Sequence, residues 1–399
     1  MREIEFSIFD STNLGLLRPL IEKFQTRNFV QVQLRTIPWQ NAWSNLLEFA
    51  LQGKGPAVSV IGSTWSSSLI AMDALRPFSR LEIAGLGGPE AFFPPVWQST
   101  KLQNDPQIWS IPLSAYTFVL LYRRDLLDRA HVEEQTAFAD ADAILQTFDR
   151  LQQAGVRIPW VFPTATPYVD RVHICASWIW GSGGDIVDDS GKKVLVNWPE
   201  ALVGLNRFFS LYRFLSPVGH DLGYENALDL FAQGEAAVAI AGVDDTAMLL
   251  NARISPEVCS NLGVVPLPGI PWIGGENLVI WKHAQGYVEQ ERSALQLMKY
   301  LSSKEVQILF NQQTLMPVRS DAMAEIPVEN ETLSSAIHYT FQNGRPHRSM
   351  RLWSRIERQL GQTLDEISTE LLDDPNAKVE VVLQKYLDPL AKRLTLLLN

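Results

Sequence analysis

The apolar positions change period along the chain, and each change marks an element. Residues 4–9 alternate and then run apolar, which predicts a strand. Leu14, Leu17, Leu20, Ile21 and Phe24 recur at helical spacing. Pro19 lies inside that stretch, so the helix is expected to start after Leu14 or to bend there. Residues 30–37 read as a second strand. Trp43, Leu46, Leu47 and Ala50 trace a second helix, closed by Gly53. Gly55 and Pro56 turn the chain into a third strand over 57–61. Strands alternating with helices predict parallel pairing and an α/β domain.

Farther along, Ile111-Pro112-Leu113 leads into a strand over 117–122. The middle of the chain is mainly helical. One helix is predicted over 140–153, ending at Gly155. Another opens at Trp198-Pro199, with Leu202, Leu205, Phe209 and Tyr212 on one face. Residues 236–241, 262–265 and 277–281 read as strands, and the tail from about Val288 as helical. No repeat, low-complexity segment or Pro/Ser linker divides the chain. The domains are therefore expected to be interleaved, with several short crossings.

Composition narrows the function classes. The 399 residues allow two or three domains. Lys and Arg number 34 and Asp and Glu 44, a net charge of −10. That excess of acid argues against a partner that is nucleic acid, which demands a basic face, and against docking on anionic lipid. The longest apolar run, 236–243, is far short of the roughly 18 residues of a membrane span and reads as a buried strand. The two cysteines, Cys175 and Cys259, show no metal-ligand spacing. They fit either a disulfide or two buried thiols, and thiols are the preferred reading. Met1-Arg2-Glu3 runs directly into the first strand, without a basic and then an apolar leader. The chain is thus expected to be cytoplasmic or to have had a signal peptide removed.

Catalytic signatures are missing. There is no phosphate-binding loop ending in Gly-Lys-Ser/Thr and no GxGxxG after the first strand. HExxH and the GxSxG elbow do not occur, and the six histidines are scattered. We expect no catalytic residue, no metal and no cofactor. Plentiful carboxylates leave paired-acid hydrolysis open, but no pair stands out.

Six ordered segments carry a resemblance. They are Gly55-Pro56-Ala57-Val58-Ser59-Val60-Ile61-Gly62; Ile111-Pro112-Leu113 with Leu121-Tyr122-Arg123-Arg124-Asp125-Leu126-Leu127; and Trp180-Gly181-Ser182-Gly183-Gly184-Asp185 with Val196-Asn197 and Ala201-Leu202. Phe231-Ala232-Gln233-Gly234-Glu235-Ala236-Ala237 follows. Then come Pro266-Leu267-Pro268-Gly269 with Gly274-Gly275, and Leu301-Ser302-Ser303-Lys304-Glu305 with Leu315-Met316-Pro317-Val318-Arg319. In this order the chain resembles an extracellular solute-binding protein of an ABC importer, of the sugar-binding, maltose-binding-like group. Ala57 departs from that group's usual Asp.

The resemblance implies an α/β, two-lobed, periplasmic-binding-protein-like fold of type II, with mixed sheets flanked by helices. The lobes would be interleaved and joined by hinge crossings. Lobe 1 would comprise 1–113 plus 267–314, and lobe 2 117–263 plus 318–399. The crossings would lie near 114–116, 264–266 and 315–317. It also implies a periplasmic or extracellular location, a small-molecule sugar ligand and an ABC-transporter permease as partner. Contact with the membrane would come only through the permease or a lost lipid anchor.

Ligands of open α/β sheets bind beyond the carboxyl ends of strands. That rule selects Ser11, Thr12 and Asn13; Trp39, Asn41 and Trp43; and Ser63, Thr64 and Trp65. Ser11–Asn13 equally fit a helix cap. Trp43 lies on the apolar helix stripe and fits core better. Trp39 and Trp65 are even between cleft and core. Indole rings suit sugars because C–H faces stack on them while hydroxyls seek short polar partners. From the family's binding positions the resemblance carries over Thr64, Trp65, Tyr116, Thr166, Tyr168, Asp244 and Trp353, with Glu357 where Arg often stands. Thr166 replaces an acid and Asp244 a stacking Trp, so a small sugar or polyol fits better than a long maltodextrin. Gly274 and Gly275 either admit a ligand to the backbone or make a tight turn. Glu276 either accepts sugar hydroxyls or is solvated. Asp185 reads as a loop cap, Trp178 or Trp180 as core, and Arg319 as an ion-pair partner fixing the hinge region. The same fold could hold a polyol phosphate, a peptide or a polyamine. The absence of basic residues at the strand ends counts against phosphate.

Overall fold

The computed structural model describes residues 2–10, 14–215, 221–252, 254–311, 316–326 and 330–398. The chain forms two compact units. Unit 1 comprises Met1–Tyr116, Ile273–Pro327 and Pro346–Ser354, and unit 2 Thr117–Trp272, Val328–Arg345 and Arg355–Asn399. The architecture is the expected mixed α/β one, with two sheets flanked by helices.

Unit 1 is built on a five-stranded sheet. Its strands are β1 (Arg2–Phe9), β2 (Val30–Ile37), β3 (Val58–Gly62), β4 (Ile111–Tyr116) and β8 (Gly274–Ile280), in the order β2-β1-β3-β8-β4. β1 pairs parallel with β2 and β3, as the strand–helix alternation predicts. The parallel rule stops there. β8 runs antiparallel to both β3 and β4, because the chain reaches it after passing through unit 2 rather than by a local helical crossover. The first helix, Leu14–Asn28, runs through Pro19.

Residues 111–116 form a strand that the apolar pattern did not mark. Pro112 hides it, since proline cannot donate to a ladder. The edge position of β4 and a register shift between Pro112 and Ser114 accommodate it.

Unit 2 holds a three-stranded antiparallel sheet of β5 (Phe118–Arg123), β6 (Val238–Gly242) and β7 (Leu262–Pro266), ordered β6-β5-β7. β5 and β6 are buried along their whole length, which is why 236–243 reads as an unbroken apolar run. The helix Ala141–Gln153 is capped by Asp140, whose carboxylate accepts the amides of Asp142 and Ala143. The helix Pro199–Ser210 opens with proline, as predicted. The glycine motifs at 181–184 and 266–269 meet each other. A side-chain carbon on Gly269 would come within 2.6 Å of the Gly181 backbone, so both glycines are demanded by packing.

The cysteines are free thiols. Cys175 is buried, but Cys259, on the short helix Pro256–Ser260, is exposed, which corrects the reading of two buried thiols. Among the described residues no helix is long and apolar enough to cross a membrane.

Candidate functional site

In unit 1 the sheet itself gathers the predicted residues. The carboxyl ends of β1, β2 and β3 lie at one edge. β8 is antiparallel to β3, so its amino end, Gly274–Glu276, lies at the same edge, and so does the carboxyl end of β4. Gly62 pairs with Glu276, and Tyr116 with Gly274. Four rings crowd this edge. Trp39 stacks on Trp65 with centroids 5.3 Å apart and planes 23° apart. Phe9, the buried last residue of β1, sets its edge against both. Trp43 leans on Trp65 at 5.8 Å and is only half-buried, so it belongs to this cluster rather than to the core. Trp39 is 42% exposed and its amide is held by the Asp10 carboxylate at 2.8 Å.

Ser63, Thr64 and Trp65 form a single 3-10 turn after β3 and are half-buried. The Ser114 hydroxyl donates to Glu276 at 3.3 Å, so Glu276 is held at the sheet edge and is not a freely solvated acid. Gly275 has φ +136°, and an added side-chain carbon would be driven into the carbonyl oxygen of Ser114. Its glycine is therefore required by the approach of β4, not by a tight turn.

Trp353 opens the helix Trp353–Asp373 and is only 2% exposed. Its ring stacks on His347 at 4.3 Å, and its indole N–H has no hydrogen-bond partner among the described residues. The neighbouring Ser354 hydrogen-bonds to Ser68, which ties this segment to the helix Ser66–Ala71 that follows Trp65. Ser11, Thr12 and Asn13 lie outside the described residues.

Unit 2 brings Tyr168 and Asp244 towards a second group of polar residues, while Thr166 is exposed. Tyr168 stacks on Tyr224 with centroids 6.2 Å apart. The Tyr224 hydroxyl donates to Asp245 at 2.5 Å and accepts the amide of Gly242 at 2.9 Å. Asp244 and Asp245 sit in the first turn of the helix Val243–Ala252. Burial pushes the phenol of Tyr168 well above its ordinary range, and the charge of Asp170 adds to that. Asp170, before the helix Arg171–Gly181, is raised to about 7, first by burial and then by Asp245.

Beneath this group Arg171 is fully buried. It donates to Asp365 at 2.9 Å, to Ser368 at 3.1 Å and to the Tyr212 hydroxyl. Asp365 also accepts the Tyr168 amide at 3.3 Å. His173, on the same helix, stacks on Trp272 at 4.0 Å and 6°, and burial lowers it to about 3.

Trp178 and Trp180 are both core. Asp185 accepts the Trp180 indole at 3.1 Å, the Ile186 amide at 2.8 Å and the Arg345 guanidinium at 2.8 Å, which makes it a loop anchor. Arg319 makes a bidentate pair with Asp321. Sequence reasoning missed Ser114, Asp170, Tyr224 and Asp245. None lies in a motif; only the Ile111–Tyr116 strand, once placed beside Gly274-Gly275-Glu276, would have exposed Ser114. Among the described residues no cluster of histidine, cysteine or carboxylate is arranged to hold a metal ion.

A two-unit α/β chain whose sheet edge carries rings and short polar groups is the build of a binding protein. Residues 19–335 match the family described as bacterial extracellular solute-binding protein, and the chain belongs to that family. Its fold is shared with the ABC transporter solute-binding protein of Thermotoga lettingae TMO, solved with alpha-D-tagatose, at a TM-score of 0.81, 17% identity and full coverage of both chains. It is shared with the sugar-binding protein MalE of Xanthomonas citri, at 0.81 and 20%, over 99% of both chains. The solute-binding protein of Agrobacterium radiobacter K84, solved with ribitol, gives 0.78 and 18% over 98% of both. At these identities the likeness is one of fold. No curated protein sequence matches the chain.

Proposed function

We propose that the protein binds a small carbohydrate, a mono- or disaccharide or a polyol, outside the cytoplasm, performs no chemistry on it and delivers it to an ABC-transporter permease. The observation that carries this reading is the stacked Trp39–Trp65 pair, with Trp39 open to solvent at the carboxyl end of the unit 1 sheet. An exposed indole face is costly to leave in water and suits the C–H face of a sugar ring. Glu276, held by the Ser114 hydroxyl, stands at the same edge to accept hydroxyl bonds, and Thr64 and Tyr116 extend the polar rim. Trp353 enters as the floor behind that edge, since its ring is buried against His347. In unit 2 the resemblance singles out Tyr168, Asp244 and the exposed Thr166. Relatives of this fold have been solved with tagatose, ribitol and maltose, which supports the class of ligand.

The test is a calorimetric titration with D-tagatose, ribitol and maltose, alongside thermal shifts. One of these should bind and raise the melting temperature by mass action. Trp39→Ala should weaken that binding about tenfold, the equivalent of ~1.4 kcal/mol, with an unchanged melting temperature for the free protein. A variant that binds like wild type sinks the site, and the absence of binding by any saccharide or polyol sinks the function.

A further inference from the structure

We propose that the exposed face of the helix Trp353–Asp373, over its unit 2 part from Arg355 onwards, is a self-pairing surface. A second copy of this chain docks on it antiparallel, about a two-fold axis at Gln362. This goes beyond the ligand reading above and does not depend on it.

The helix buries Ile356, Leu360, Leu364, Ile367 and Leu371. It turns Arg355, Arg358, Gln362, Glu366, Thr369 and Asp373 outward. Steps of three or four residues throughout keep that outward set on one face. Its charges are sorted by sign, since both arginines precede Gln362 and both acids follow it. Arg358 and Glu366 stand four residues either side of Gln362, and Arg355 and Thr369 seven.

This order is unfavourable within one helix. Arg355 and Arg358 lie a turn apart and repel each other. Cations near the start of a helix and carboxylates near its end oppose the macrodipole. Arg358 and Glu366 are separated by about 12 Å of rise, too far to pair with each other. Among the described residues, Arg355, Arg358, Glu366 and Asp373 make no hydrogen bond or ion pair through their side chains. Their neighbours do: Asp365 holds Arg171, Glu370 holds Lys385, and Arg393 donates to Gln359.

An antiparallel second copy relieves each of these. Arg358 of each copy faces Glu366 of the other. Gln362 meets its own equivalent, and its amide both donates and accepts. Arg355 falls beside Thr369, with Asp373 one turn further on and within reach of a long guanidinium side chain. The two macrodipoles run opposed. A contact of this kind is isologous and closes at two copies. An acidic partner would match only the arginine half of the face, and a basic partner only the acidic half. The helix is about 30 Å long, so one face of it covers less than a stable dimer needs, and the association is weak and set by charge.

The experiment is sedimentation velocity of the full chain at roughly 0.02 M and 0.5 M salt. Two chains of net charge −10 repel, and salt relieves that general repulsion. A contact held by these pairs responds in the opposite sense. The expected result is a monomer–dimer equilibrium at low salt that shifts to monomer at high salt. Arg358→Glu and Glu366→Arg should each weaken self-association at least about tenfold. An equimolar mixture of the two variants should restore a dimer, because opposite charges then face each other in both pairs. Circular dichroism confirms that each variant is folded, and the salt test needs no variant. A chain that stays monomeric at low salt overturns the surface. So does a dimer that both single variants retain, or a mixture of the two that stays monomeric.

Discussion

The sheet edge of unit 1 and the polar group of unit 2 are built by different physics. The first is made of backbone register and rings. β3, β8 and β4 align Gly62, Glu276, Gly274 and Tyr116, and four aromatic rings fill the end of the sheet. The Glu276 carboxylate at this edge is held by a neutral hydroxyl. The second is made of buried charge. Arg171 is the keystone, and Tyr168, Asp170 and Asp245 stand above it, with the titrations of Tyr168 and Asp170 displaced by burial. An edge assembled from register tolerates exchange of a ring but not of a glycine. A group assembled from buried charge tolerates little change of charge at all.

Arg171→Met should cost unit 2 the most. Removal of the guanidinium leaves the half-buried Asp365 carboxylate without its cation and takes one donor from Tyr212 and Ser368, which keep only their mutual hydrogen bond at 3.0 Å. Breaking a buried pair from one side costs about 3–5 kcal/mol. The free energy of urea unfolding should fall by that amount. A fall under ~1 kcal/mol would mean that the charge is not structural, and the contrast between the units would collapse.

The corresponding test in unit 1 is Gly275→Ala. It needs no loss of charge or of contact. The alanine must adopt φ +136° with its side-chain carbon against Ser114 and 2.8 Å from the Ala115 backbone. Strain of this kind costs on the order of 2 kcal/mol. β4 would be pushed from β8, so the same variant should also lose affinity for any ligand that uses Glu276 or Tyr116. An undiminished melting temperature would show that the edge is held by its rings alone.

The difference between the units also explains what could be read from the chain. Trp39 and Trp65 follow strands directly, so the alternation of apolar positions is enough to place them at strand ends. The parallel triplet β2-β1-β3 is legible for the same reason. β4 was not, because Pro112 breaks its pattern, and without β4 there is no reason to notice Ser114. The acidic group of unit 2 was less legible still. Tyr224, Asp245 and Asp170 lie far apart in the chain and are brought together only by the packing of three helix starts. Trp353 was reached from the sequence only through the resemblance, because its place against His347 in the first turn of a helix leaves no periodic signal of its own.

A titration of stability with pH isolates two groups of unit 2. Asp170 is raised from its ordinary 3.8 to about 7. The folded state therefore holds a proton that the unfolded state has released between those values, and this group makes stability fall as pH rises through that window. His173 is lowered from 6.5 to about 3, because burial outweighs the Glu357 carboxylate 3.6 Å away. Here the unfolded state holds the extra proton, so stability falls as pH drops below about 6.5. Between about pH 4 and 6.5 the two slopes oppose, each ~1.4 kcal/mol per pH unit at most, and they cancel in the wild-type protein. Asp170→Asn removes one arm, so relative to wild type the variant should lose stability on acidification. His173→Gln removes the other and should gain stability relative to wild type over the same range. Denaturant unfolding of the three proteins from about pH 4 to 7 reads both signs. Profiles that stay parallel would mean that neither group is buried in the ionisation state described, and that unit 2 differs from unit 1 in composition but not in electrostatics.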